Sequence, residues 1–486
     1  MTRAGACPDV VVIGGGLAGI SAAIELADAG CAVTLIEGRP WLGGATCSFT
    51  RRGLTIDNGQ HIFLRCCTAY RDLLARLGVA DLYTIQDRLD LTVLADGREP
   101  GAATQARLRR SALPAPAHLV RALAGYRLLS VTERMRVAAA ALALQVTRAA
   151  DGNDRSLATW LADHGQTGRV TSMLWGWLCT AMINATPEHA DLTVAAGAIR
   201  TALLAGRDHA DVGVPVAAFS RLHGAPAAAL LARLGVTIRL STRAAAVHAD
   251  APGRYLVTVI EQAASAEDPQ LVPEQLQTAG VVLAVPPSEA AALAPAGLAG
   301  EAAKWSLLRP SPVVSVHVMY GCPVTTLPFA AVAGSPAAWV MDKASAAGLR
   351  AGQYLAVSLP AADQYVDMPT GQLREIALPL LERLFPAAAE ARIEDVFVTR
   401  ERRATILHEP GVQRLRAAPG AGPPGLAVAG AWTDTGWPDS MEGAVRSGRS
   451  AAGKVIADLA GRTETAAEAS ESIPAAVVAA PSTGGM

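Results

Sequence analysis

The segment that most restricts this chain lies between residues 9 and 37. Asp9–Ile13 is a β-branched run of the kind that a buried parallel strand carries. It leads into Gly14-Gly15-Gly16-Leu17-Ala18-Gly19, after which Ile20, Ala23, Ile24 and Ala27 recur at helical spacing. Glu25 and Asp28 fall on the opposite side, and Gly30 stands where a helix stops. Cys31–Ile36 predicts a second strand, closed by Glu37. Strand, G-x-G-x-x-G turn, helix, strand and terminal acid within about 30 residues form a βαβ unit for a dinucleotide. Each position has its own reason. Gly14 permits the tight turn, Gly16 lets backbone N–H groups approach a pyrophosphate, and Gly19 lets the helix pack close to the strand. The helix N-terminus offers roughly half a positive charge to the phosphates, and Glu37 can accept both hydroxyls of a ribose.

Composition removes several other classes. The 486 residues are 51% hydrophobic and 17% charged, which excludes disorder for most of the chain. Lys+Arg 42 against Asp+Glu 43 leaves a net charge of −1, so no nucleic-acid partner held by a basic field is expected. Seven scattered cysteines without a C-x-x-C pair suggest neither a disulfide framework nor a thiolate metal site. A reducing cytoplasm is the expected compartment. No apolar signal region precedes Asp9, and the run Val137–Val146 is far shorter than the ~20 residues a membrane span needs. The expectation is a protein that at most lies on a membrane surface.

Along the chain, residues 100–210 read as Ala-rich helices. A helix from Ala225 leads to strand-like runs at Val236–Leu240, Tyr255–Ile260 and Val281–Val285. Further strands are expected at Val313–Tyr320, Tyr354–Leu359, Ile393–Val398 and Leu426–Ala429, with helices at Gln372–Leu384 and Met441–Leu459. The composition after Gly461 predicts a disordered tail.

The residues after Glu37 decide between FAD and NAD. Arg39 and Gly43-Gly44 complete an E-x-R-x-x-x-G-G pattern that resembles the flavoprotein amine-oxidase and phytoene-desaturase superfamily. Leu426–Trp432 and Pro438–Gly448 are a second signal of the same kind, with Asp439 and Glu442 at capping-box spacing. In that superfamily this helix start faces the pyrimidine end of the isoalloxazine, where its positive end stabilises a reduced, anionic flavin. The superfamily usually has Gly-Asp where this chain has Gly430-Ala431, and Asp434 is the candidate substitute for that acid. Ala45 likewise stands where a basic residue is common.

Three more segments narrow the resemblance. Asp57-Asn58-Gly59-Gln60-His61 with Cys66–Tyr70, Trp177–Glu188, and Glu401–Thr405 are similar to the bacterial squalene-associated flavoproteins, the hydroxysqualene dehydroxylases. The resemblance implies an α/β fold: an FAD-binding Rossmann-like domain of the glutathione-reductase/amine-oxidase type with an inserted α+β substrate domain. The FAD domain would comprise 1–90, 215–305 and 405–460, and the substrate domain 91–214 (helical) and 306–404, with 461–486 the disordered tail. Non-covalent FAD would be held by Gly14, Gly15, Gly16, Gly19, Glu37, Arg39, Gly43, Gly44, Asn58, Gly59, Gln60, Val247, Gly430, Asp434, Met441 and Glu442.

The implied reaction takes the hydroxyl from hydroxysqualene as water and delivers hydride from the reduced flavin, giving squalene. It needs a long apolar isoprenoid substrate, a flavin reductant, and peripheral contact with a membrane, for which Arg107, Arg109, Arg110 and Leu119–Leu129 are the expected portal. His61 is the first candidate general acid, because an ordinary imidazole pKa of about 6.5 suits proton donation. Glu188 is the second. A purely positional role for His61, and a helix first-turn role for Glu188, stand beside these readings. Val313–Tyr320 has no lysine, which counts against an amine oxidase; a carotenoid desaturase, a non-redox polyene isomerase and a flavin-binding partner remain alternatives.

Overall fold

The computed structural model describes residues 9–96, 103–147, 154–251, 253–261, 273–334, 336 and 338–471. Its first sheet has five parallel strands in the order Thr237–Arg239, Val33–Ile36, Val10–Ile13, Gly280–Leu283 and Leu426–Val428. Val10–Ile13 is wholly buried because both faces of the sheet are covered. Val10 and Val12 point to one side, where the helix Leu17–Asp28 and the terminal helix pack together. Val11 and Ile13 point to the other, toward a three-stranded antiparallel sheet of Thr242–Ala251, Arg254–Glu261 and Glu274–Thr278. The two helices cross so closely that a Cβ on Gly448 would stand 2.2 Å from the Ala18 carbonyl oxygen. Packing between helices therefore explains that glycine of the Met441–Gly448 run.

A second sheet of seven strands carries the other half of the molecule. Its order is Ile393–Ile406, Pro310–Tyr320, Gln353–Leu359, Ala338–Asp342, Phe329–Ala333, Asp90–Ala95 and Thr104–Arg109. The helix Thr370–Leu384 seals one face. A layer of helices between 117 and 204 lies on the other, including Val131–Val146 with a complete Ser130/Glu133 capping box, Gly176–Ile183 and Leu192–Ile199.

Three expectations change. The stretch expected to be all helical opens with a strand, Thr104–Arg109, whose Arg107 and Arg109 side chains share Asp90 across the ladder. The strand Ile393–Ile406 runs through the expected 404/405 boundary, because its 14 residues pair along the whole of Pro310–Tyr320. The terminal helix continues to Glu471 rather than ending near Leu459, and only residues 472–486 of the expected tail lie outside the described residues.

Candidate functional site: a glycine cradle joined to an apolar cavity

The nucleotide end is built from backbone. Gly14 has φ +110° and donates its N–H to Ile36 O at 2.8 Å, turning the chain at the carboxyl edge of the sheet. A Cβ on Gly19 would lie 1.8 Å from Gly14 O, so only glycine lets the helix start there. The second glycine pair docks on the first loop. Gly43 N–H bonds Gly15 O at 2.9 Å, and a Cβ on Gly44 would lie 2.7 Å from Gly16 Cα. Glu37 is pinned edge-on, its Oε2 accepting from Gly15 N–H (2.7 Å) and its Oε1 from Arg39 N–H (2.8 Å). Arg39 in turn donates through Nη1 to Gly44 O at 2.7 Å. These residues converge as the sequence predicts.

Val247 does not join them. Its side chain is buried in the three-stranded sheet opposite Val257, and the contact of that strand with Glu37 is made by Thr242, whose N–H bonds Glu37 O.

Beyond the cradle the site is made of side chains. Asp57 is buried, accepts from Ser48 Oγ (2.8 Å) and Phe219 N–H (3.0 Å), and faces Lys343 Nζ at 3.0 Å. Asn58 is clamped to the segment after the glycine pair: Nδ2 donates to Ala45 O and Oδ1 accepts from Cys47 N–H. Its side chain is thus committed to shaping the loop rather than left open to a cofactor. Gln60 differs. Both polar atoms of its amide are buried without a partner among the described residues. A buried, unsatisfied amide beside a preformed glycine cradle fits a polar cofactor.

Two buried relays with the same grammar brace this region. Tyr70 OH bonds His223 Nε2 (2.8 Å), His223 Nδ1 bonds Thr46 Oγ1 (2.9 Å), and Thr46 donates to Gly43 O. Tyr354 OH bonds His317 Nδ1 (2.6 Å), His317 Nε2 bonds Thr399 Oγ1 (2.9 Å), and Thr399 donates to Asn58 O. Because each threonine proton goes to a carbonyl, each histidine must donate to the threonine and accept from the tyrosine. That assigns one neutral tautomer to each ring. Burial pushes both imidazoles down to about 3, consistent with neutral rings.

His61 stands beside them, edge-on to Phe219 with ring centroids 5.1 Å apart. A Cβ on Gly59 would come within 3.1 Å of His61 Nε2, so Gly59 leaves room for the imidazole. Burial, with Lys343 adding to it against the pull of Asp57, brings His61 to about 4. At neutral pH the ring is uncharged, which weakens it as a proton donor. Neither nitrogen has a protein partner among the described residues. Glu188 is exposed in a turn. The residue of that motif that carries structure is Asn184, at φ +51°, which donates to Ser311 O and Thr405 Oγ1 and accepts from Ala361 N–H. Neither Glu188 nor His61 itself is among the residues that line the apolar cavity described below, although Ile62, next to His61, is.

The terminal helix also differs from expectation. Asp439 and Glu442 do not form a capping box: Ser440 Oγ takes the Gly443 N–H, and Asp439 Oδ2 takes Ile406 N–H. Burial lifts Asp439 to about 6. Glu442 is spent on another helix, accepting from Ala69 and Tyr70 N–H groups and pairing with Arg446. Asp434 does not replace the missing acid at Ala431 either. Its side chain is 44% exposed and lines an outer cavity of about 370 Å³ with Asp154, Asp191 and Arg200. The loop is held from behind instead, by a buried Arg416 that donates to the carbonyls of Ala431, Trp432, Thr433 and Trp437, and by Ser447 Oγ, which accepts from Gly430 N–H.

From Trp437, Pro438, Ser440, Met441 and Glu442 a cavity of about 540 Å³ runs outward. Its walls are almost entirely apolar, with Trp175, Trp177, Leu178 and Met182 on one side and Leu89, Leu91, Leu119 and Val137 on another. Of the region 306–400, only Trp339 reaches it; the rest builds the seven-stranded sheet and the helix Thr370–Leu384 that covers its far face.

A parallel sheet with a double-glycine cradle and a pinned terminal acid, in a chain that also holds an apolar cavity, defines an FAD-dependent oxidoreductase. The model of the family described as flavin containing amine oxidoreductase matches residues 17–456, and the chain belongs to that family. It is similar to the hydroxysqualene dehydroxylase of Sinorhizobium fredii (strain NBRC 101917 / NGR234), with 28% identity over 473 residues, 93% of this chain and 99% of that protein. Hydroxysqualene dehydroxylase from Rhodopseudomonas palustris (strain ATCC BAA-98 / CGA009) is 27% identical over 92% of this chain and 98% of its own length. A zeta-carotene desaturase of Zea mays is 30% identical over 34% of this chain and 30% of its own. Among solved structures, cyclohexylamine oxidase from Brevibacterium oxydans IH-35A superposes with a TM-score of 0.70 at 20% identity, covering 94% of this chain and 100% of that one.

Proposed function

We propose that this flavoprotein reduces a C30 allylic alcohol of the hydroxysqualene type to the corresponding hydrocarbon. The observation that carries the reading is the apolar cavity that ends at the start of the terminal helix, the helix that packs against Leu17–Asp28 of the glycine-turn unit. Its volume lies in the range of small-molecule sites, and its lining offers no charge partner for an amine or a carboxylate substrate other than Glu442, which is already paired. The full-length similarity to two hydroxysqualene dehydroxylases supports the same substrate class.

Reduced FAD, when bound, supplies the hydride. The chain's own residues position and seal. Trp175, Trp177 and the aliphatic walls hold the hydrocarbon and exclude water, which favours ionisation of an allylic carbinol only where its hydroxyl is hydrogen-bonded. His61, neutral, with an unpaired N–H and next in sequence to the lining residue Ile62, is the group assigned to hold that hydroxyl; the proton with which the oxygen would leave as water is the one that a two-electron-reduced flavin gives up along with its hydride. The Lys343–Asp57 pair and the two tyrosine–histidine–threonine relays keep the loops on either side in register.

Purified, FAD-loaded protein incubated with hydroxysqualene and a flavin reductant is expected to yield squalene by mass spectrometry. Bound, reducible flavin with no squalene formed would sink the reading, and conversion of phytoene without net reductant would replace it with desaturation. His61→Ala is expected to lower kcat by about 10²-fold and His61→Gln, which keeps a donor, by less. Equal losses for the two variants would remove the hydrogen-bonding role.

A further inference from the structure

The helix Val131–Val146 is apolar on two opposite faces. Val137, Ala140 and Leu144 are buried against the layer beneath. At about 100° per residue, Val131, Met135, Leu142 and Val146 share the other side and form one stripe along the helix. That stripe faces outward. Of the seven large apolar side chains more than half exposed among the described residues, six lie in this region: Leu113, Val120, Val131, Met135, Leu142 and Val146, at 54–75%. A soluble surface scatters such residues singly, so a stripe calls for a cover.

Two observations say what covers it. The first is the cavity: Val120 and Leu142 belong both to its lining and to the exposed set, so it reaches the surface within the stripe. The second is charge. Residues 103–147 hold seven arginines and a single acid, Glu133, in a chain whose net charge is −1. Asp90 and Asp211 neutralise Arg107, Arg109 and Arg110 from neighbouring elements. Arg121, Arg127 and Arg136 are exposed and make no ion pair among the described residues. An apolar stripe flanked by unpaired arginines matches an anionic lipid surface. A protein seated on the stripe would stop the mouth, whereas fluid acyl chains leave it open to an apolar molecule.

We propose that this face docks on the surface of an anionic bilayer, with the mouth at Val120 and Leu142 opening toward the acyl layer. No helix among the described residues is long and apolar enough to cross a membrane, so the contact is one of lying on the surface. Delivery of an isoprenoid through the mouth rests on the reaction proposed above; the docking itself does not.

The test uses the FAD-loaded full chain and vesicles of phosphatidylcholine with or without one-third phosphatidylglycerol. The protein is expected to sediment with the anionic vesicles, less with the neutral ones, and to be released by salt. The triple variant Val131→Ser/Met135→Glu/Val146→Glu should bind at least about tenfold more weakly, through lost apolar burial alone. Its flavin absorbance, Tm and turnover of detergent-dispersed substrate should stay unchanged, which separates a failure of docking from a failure of the chemistry. Arg121→Gln, Arg127→Gln and Arg136→Gln should each cost about fivefold on anionic vesicles and nothing on neutral ones. The proposal is overturned if the wild type stays in the supernatant, or if the triple variant binds as well as wild type. Light scattering that shows a dimer broken by the triple variant, with vesicle binding intact, would hand the stripe to a second copy of the chain.

Discussion

The two ends of the cofactor site are made of different material. At the nucleotide end most contacts run between backbone atoms, or between Glu37 or Arg39 and backbone, within residues 13–44, joined by backbone bonds that link Arg239, Ser241 and Thr242 to Glu37 and Arg39. At the other end the contacts are between side chains far apart in sequence: Asp57 with Lys343, Tyr70 with His223, Tyr354 with His317, Thr399 with Asn58 O. A backbone site tolerates little added volume and is indifferent to pH. A site of buried side chains tolerates conservative changes of volume but depends on which groups hold protons. One end of the region is thus shaped by sterics and the other braced by electrostatics.

Acid should separate the two ends most strongly. His223, His317 and His408 are fully buried with folded pKa values near 3, against about 6.5 when unfolded. A depressed histidine contributes stability that is complete above its unfolded pKa and fades as pH falls through 6.5 toward 3. At pH 5 each costs about 2 kcal/mol relative to neutral pH. Asp439, raised to about 6, works in the opposite sense, adding stability as pH falls below 6, and returns about 1 kcal/mol by pH 5. With His61, near 4, losing about 2 kcal/mol more, urea titrations at pH 7 and pH 5 should show a net loss of roughly 6–7 kcal/mol. A loss below about 1 kcal/mol would mean the histidines already carry protons in the folded state.

The ion pair is the next largest test. Lys343→Met removes the cation from the buried Asp57 carboxylate, leaving it the Ser48 hydroxyl and the Phe219 N–H, and should cost about 3–5 kcal/mol in denaturant unfolding. Adding Asp57→Asn to that variant should restore much of the loss, since no charge is then left uncompensated. Equal stability of the single and double variants would show that water reaches Asp57.

Two glycines then sharpen what backbone construction means. Gly19→Ala drives a Cβ into Gly14 O and should cost about 3 kcal/mol, with flavin lost. Gly16→Ala meets nothing closer than Gly44 Cα at 3.8 Å. It should leave Tm nearly unchanged while weakening FAD about tenfold, or 1.4 kcal/mol, by calorimetry. The methyl would fill the cleft between the two glycine loops rather than disturb the polypeptide. The smallest effect is expected at Glu188→Gln, whose exposed carboxylate should leave turnover and stability within about 0.5 kcal/mol of wild type.

Much of this was legible in the chain. Local contacts leave local signs, so the strand, G-x-G-x-x-G turn and Glu37 announce their roles by spacing alone. The motif Asp57–His61 was visible too, yet its parts were not. Asn58 shapes a loop, Gln60 keeps its amide open, and His61 loses its charge through burial that no spacing encodes. Lys343 is one of only three lysines in the chain, and His317 interrupts the apolar run Val316–Val318. Those were signals, but neither names its partner. Asp434 and Val247 misled for the same reason: direction on a loop, or depth in a sheet, is set by neighbours elsewhere.

Pattern and composition therefore determined that this chain builds a parallel sheet around a dinucleotide, and that it has apolar surface to spare. The sequence showed an apolar run at Val137–Val146 and pointed to Leu119–Leu129 as a portal, but could not say which side of either segment turned inward. Tertiary structure decided that the stripe of Val131, Met135, Leu142 and Val146 turns outward at the mouth of a cavity, and that His223, His317 and His408 are held near 3 and His61 near 4. Sequence spacing encodes bonds along the chain, whereas burial and charge depend on which distant segments come to share one small volume.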